Sequence, residues 1–187
     1  MLLLAFVGIG ALLVPLAGGR LSRLADVRIR RAWVLVATLA AQILIISVLP
    51  GGSAGFHRAV HALTYVAAGY IVWCNRDLPG ILLVGAGGAM NAIAIFSNGG
   101  VMPASPWAQA TAGLAGPGAV FANSAAVAHP KLAFLGDVFP VPASWPLHNV
   151  FSAGDILIVI GAMVAMHRVC GSRLGLRPTR AHAAASA

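Results

Sequence analysis

The sequence predicts an all-α, polytopic membrane protein, a transmembrane helical bundle of five spans with an ordered extracytoplasmic loop. Three observations lead there. The 187-residue chain is 59% hydrophobic and only 9% charged, against roughly one quarter charged in an ordinary soluble domain. Its mean hydropathy is +0.90. Its apolar residues gather into runs near the roughly 17 to 25 residues that cross about 30 Å of hydrocarbon as a helix. With 12 basic and 4 acidic residues, the chain has too few charges to solvate a water-soluble globule. Disorder is excluded too, because it requires low hydrophobicity and high charge.

The runs fall at about 1–17, 33–49, 59–74, 80–97 and 154–169. The first, MLLLAFVGIGALLVPL, lacks a basic n-region and a small-residue cleavage site before the arginines, so it reads as a retained helix. The second stops at Pro50-Gly51-Gly52, a strong breaker. The third ends at Cys74-Asn75-Arg76-Asp77, and the fourth follows Leu78-Pro79. Residues 1–169 make a single transmembrane domain on this reading, and 170–187 a disordered cytoplasmic tail.

The formal charge of +8 raises nucleic acid as a partner, and the placement of the charges argues against it. Arg20, Arg23, Arg28, Arg30 and Arg31 form one cluster, and Arg168, Arg173, Arg177 and Arg180 another. Neither has the interleaved aromatics of a single-strand groove. With alternating spans these clusters and Arg76 share one side, leaving Arg58 and Lys131 on the other. The bias puts the C-terminus in the cytoplasm and the N-terminus outside an inner membrane. Cys74 and Cys170 then lie where thiols stay reduced. The lipid bilayer is the expected partner, and the sequence names no protein partner or oligomeric state.

Between the last two spans lies the loop 98–152, too long for a simple turn. Prolines 103, 106, 117, 130, 140, 142 and 146 break it into short pieces. Ser105-Pro106-Trp107 opens a short helix to about Leu114, with serine at N-cap and proline at N1. Trp107, Trp145, Phe134, Phe139 and Phe151 suit a lid at headgroup level.

The order NGGVMPAS, KLAFLGDVFPVP and SWPLHNVFSAGDILIVIG after the apolar runs resembles an uncharacterised bacterial integral-membrane family of unknown function. That resemblance extends to about Arg168 and directs attention to Asn98, Gly99, Gly100, Asp137, Gly154 and Asp155. The stretch Asn149 to Ile158 also resembles the opening of the last helix of lipoprotein signal peptidase, an aspartic intramembrane protease. Asp155 stands six residues after Asn149, where that family has its pair three apart. Ala94 occupies the position of its other acid. The resemblance therefore implies a catalytic pair of Asp155 with Asp137, supplied by the loop.

Chemistry permits such a pair, because two close carboxylates share a proton and can serve as base and acid for a water attacking an amide. Asp26 and Asp77 fall in cytoplasmic connections, which leaves Asp137 and Asp155 outside. The alternative is local. Ser152-Ala153-Gly154-Asp155 fits a capping box, and Asp137 after Gly136 fits a turn.

His57 and His61, at i and i+4, share a helix face and are candidate ligands for a divalent metal or haem, with His129 and His148 also in the outer half. Near mid-membrane, Thr38, Gln42, His61, Thr64 and Asn91 are expected to satisfy one another. Asn98, Gly99, Gly100, His148, Asn149, His61 and Asn91 are thus the candidate binding residues. No cofactor is implied. The expected function is a membrane protein with an outer-face binding or interaction site; the alternatives are an aspartic hydrolase and a metal- or haem-binding protein.

Overall fold

The computed structural model describes residues 2–48, 54–114, 124–125 and 127–175. Each of the five apolar runs is a helix. They are α1 (Leu2–Leu16), α2 (Ala32–Val48), α3 (Ala54–Cys74), α4 (Ile81–Ser97) and, after the loop, α6 (Ala153–Val169). A one-and-a-half-turn helix, α5 (Pro106–Thr111), has Ser105 at its N-cap accepting from the Ala108 N–H, as the serine–proline pair predicts, but it ends at Thr111, before the expected Leu114, where Gly113 takes a positive φ of 68°.

The five-span bundle is overturned. Among the described residues no helix is long and apolar enough to cross a membrane. At about 1.5 Å per residue, the 17 residues of α2, α4 and α6 reach about 25 Å, at the bottom of the range for crossing the roughly 30 Å hydrocarbon layer, which typically takes about 20. The 15 residues of α1 reach less. Only α3, with 21 residues, has the length, and His57, Arg58 and His61 in its first half dilute its apolar character.

Nor is the protein purely α-helical. The loop forms two small sheets, β1 (Met102–Pro103) parallel to β2 (Ser124–Ala125) and β3 (Asp137–Val141) antiparallel to β4 (Asn149–Ser152). Pro103 ends β1 and Pro140 lies within β3, and such short two-stranded sheets offer the edge positions that a proline tolerates. Asp137 stands opposite Ser152 and Phe139 opposite Phe151, with a bulge between Asp137 and Phe139. The two phenylalanine rings stack at 5.5 Å.

The helices pack in the sequence α1, α6, α4, α3, α2, and the α4–α6 contact is the most extensive. Glycines explain it. Gly80 and Gly87 on one element face Gly161 and Gly154 on the other in antiparallel order. A Cβ on Gly161 would stand 2.7 Å from the Gly80 carbonyl, and one on Gly154 would stand 2.6 Å from the Gly87 carbonyl. Backbones approach this closely only where no side chain intervenes.

At one end of the row the connections interlock. Arg20 N–H donates to the Cys170 carbonyl at 2.9 Å and Arg173 N–H to the Ala17 carbonyl at 3.0 Å. Asn75 accepts from Arg30 N–H at 2.8 Å and donates back to the Arg30 carbonyl at 3.0 Å. The opposite end is capped by the loop sheets. Of the predicted 170–187 tail, residues 176–187 lie outside the described residues.

The exterior is strongly apolar. Among the described residues 33 large hydrophobic side chains are exposed. Leu12 on α1, Leu39 on α2 and Val66 on α3 are 70%, 60% and 69% exposed.

Candidate functional site

The first turn of α6 carries the predicted capping box. Ser152 Oγ accepts from the Asp155 N–H at 3.0 Å, and Asp155 Oδ2 accepts from the Ser152 N–H at 3.1 Å. Two of the helix's orphan amides are satisfied in this way. The box is also tied across the helix pair. Asn91 Nδ2 donates to Asp155 Oδ1 at 2.8 Å, and Asn91 Oδ1 accepts from Ser152 Oγ at 2.8 Å. Three side chains therefore form one closed ring of bonds around a fully buried serine.

Behind this ring stands an aromatic group. His61 and Tyr65, one turn apart on α3, meet Phe96 of α4 with edge-on geometry, at 5.2 Å between His61 and Tyr65 and 5.6 Å between Tyr65 and Phe96. Burial, and then the negative charge of Asp155, pushes the Tyr65 phenol above its ordinary range. Burial lowers the His61 imidazole below its usual 6.5, favouring the neutral ring.

On the other flank, α1 lies beside α6 and leaves an apolar slot of about 210 Å³. Leu3 and Phe6 form one wall, Val150 and Phe151 of β4 the end, and Ile156, Val159 and Ile160 the other wall. Asn149 and Asp155 are its polar residues.

The structure sorts the remaining sequence candidates. Asn98 is a fastener: its Nδ2 donates to the Ala94 and Lys131 carbonyls, and its Oδ1 accepts from Lys131 N–H, all at 2.8 Å. Gly99 and Gly100 take φ of 71° and 96°, the left-handed turn that glycine adopts without strain, and Gly100 N–H closes onto the Ile95 carbonyl. His148 is exposed. Asn149 Oδ1 accepts from Val150 N–H.

Asp137 is buried at 8% exposure, held in the sheet opposite Ser152 and bridged to Ala104. The register brings it to the same N-cap that Asp155 serves. The side chains of His57 and Gln42 lie outside the described residues. Among the described residues no group of three His, Cys, Asp or Glu is placed to hold a metal. Thr38 and Thr64 hydroxyls return to carbonyls of their own helices.

Sequence reasoning missed the slot, because its walls combine residues about 150 positions apart with nothing but apolarity to mark them. It also missed Tyr65 and Phe96, although the i, i+4 spacing of His61 and Tyr65 was a readable sign.

A relative described as an uncharacterized protein, from Thermotoga maritima, is 32% identical over 111 residues. The match covers 59% of this chain and 62% of the relative, so the chain spans less than two thirds of that protein's length. No solved structure gives a significant match. The resemblance of the α6 opening to lipoprotein signal peptidase gains no support, and Asn149 lies in strand β4 while the helix begins at Ala153. A family model described as a family of unknown function, DUF5317, matches residues 26–167, and the chain belongs to that family.

Proposed function

We propose that the protein binds a hydrocarbon group carrying an amine or hydroxyl, in the slot between α1 and α6, while seated against lipid at the cytoplasmic membrane. The observation that carries this reading is the slot itself. At about 210 Å³ it exceeds the roughly 150 Å³ apolar cavity that stays dry and takes up benzene. It joins an acceptor-only carboxylate, Asp155, to nearly unbroken hydrocarbon walls. The many exposed large hydrophobic side chains support lipid seating, because apolar surface beyond what a soluble monomer exposes marks a lipid or protein contact.

The test is thermal denaturation in detergent with dodecylamine added. Binding raises the melting temperature of the native protein, and Val159→Trp, which fills the slot, abolishes the rise. No rise, or an equal rise in Val159→Trp, overturns the reading.

Hydrolysis by Asp137 and Asp155 is a second reading, favoured by the pairing of Asp137 with Ser152. Against it, Asp155 serves as the helix cap, with one structural hydrogen bond to each oxygen; the remaining lone pairs can accept from a ligand donor.

A further inference from the structure

The interlocked end of the helix row concentrates charge. Arg20, Arg23, Arg28, Arg30, Arg31, Arg76, Arg168 and Arg173 are all exposed, and the backbone bonds joining Arg20 to Cys170, Arg173 to Ala17 and Arg30 to Asn75 bring their segments to one end. Two acids oppose them in these segments, Asp26 and Asp77. Asp77 is engaged by Arg30 at 3.3 Å.

This surface is not purely ionic. Leu21 and Leu24, in the 3-10 turn Leu21–Asp26, are 41% and 40% exposed, and Trp33 and Trp73 are both 67% exposed. Arg76 stacks over the Trp73 ring at 4.9 Å.

We infer that this end is a docking platform for an anionic phospholipid surface, with arginines on the phosphates and the Leu and Trp side chains in the boundary between headgroups and acyl chains. Charge complementarity chooses the sign of the partner, since basic segments are drawn to anionic leaflets. Its exposed leucines and tryptophans choose lipid over nucleic acid, because such side chains settle at membrane interfaces. The inference rests on the lipid-seated part of the proposed function and is independent of the slot.

The experiment is flotation of the purified full chain with vesicles of phosphatidylcholine alone or doped with phosphatidylglycerol, with single-stranded RNA as a competitor. Binding to the doped vesicles is expected to be at least roughly tenfold tighter, to weaken with salt, and to survive RNA. Arg20→Gln, Arg28→Gln and Arg173→Gln combined should remove that preference with the melting temperature unchanged, whereas Lys131→Gln at the loop end should keep it. Equal binding to both vesicles overturns the platform and leaves lipid seating standing. Binding to neither overturns both. Displacement by RNA assigns the arginines to nucleic acid and overturns the platform.

Discussion

Asn91 of α4 donates to Asp155 of α6 at 2.8 Å across 64 residues of sequence, and this bond turns a local helix cap into a junction between two helices. Its second arm reaches Ser152 Oγ, so the same amide orders both members of the capping box. The β3–β4 pair ends on Ser152, which fixes the loop to the junction.

Replacing Asn91 by Leu keeps the volume and removes both bonds, leaving a buried hydroxyl and a carboxylate underpaired. The expected loss is about 1–3 kcal/mol, larger than the roughly 1 kcal/mol expected for deleting the cap alone with Ser152→Ala. Denaturation of both variants and the double mutant measures the coupling. Additive losses would mean that the ring does not act as a unit.

The glycine contacts make an ordered prediction. Gly87→Val places a side chain against the backbone around Gly154, and forced repacking of this kind costs about 1–3 kcal/mol or more. Gly69→Ala, also inside a helix but with nothing within 4 Å, should be neutral or stabilise by up to about 1 kcal/mol. Melting temperatures of the two variants check the order.

The two thiols should differ in reactivity. Cys170 is 1% exposed, and burial pushes its thiol up, with Arg23 only partly opposing. Cys74 is partly exposed. Since the thiolate is the reactive form, maleimide should modify Cys74 in the native protein and Cys170 only on unfolding, as peptide mass analysis would reveal.

Asp155→Asn and Asp137→Asn separate capping from catalysis. An amide retains an acceptor oxygen, so Asp155→Asn should lose only part of the roughly 0.5–2 kcal/mol that a cap provides. A catalytic carboxylate tolerates no such change. Melting temperature beside any function measured in cells makes the comparison, and the account expects function to survive Asp137→Asn.

What the sequence disclosed followed the range of the interactions. The cap at Ser152 and Asp155 is a contact between neighbours, and it is written in four consecutive residues. The five helices were visible because each carries its own apolar run. Four of their lengths were legible to within a residue or two, whereas α3 begins at Ala54, five residues before its apolar run, because the stretch holding His57 and Arg58 continues the helix without continuing the hydropathy. Asn98 stood out as a polar residue among glycines, yet its partner, the Lys131 backbone, has no sequence signature. The slot needs α1 beside α6, the two ends of the described chain, and no local pattern specifies that meeting.

The central claim is that the slot, rather than the apolar exterior at large, receives the hydrocarbon group. Photolabelling with an alkyl amine that carries a diazirine, followed by peptide mapping, tests it directly. The account predicts label concentrated on Leu3, Phe6 and residues 156–160, and suppressed by Val159→Trp. Label spread evenly over exposed apolar residues such as Leu39 and Leu63, and unchanged in Val159→Trp, would contradict it.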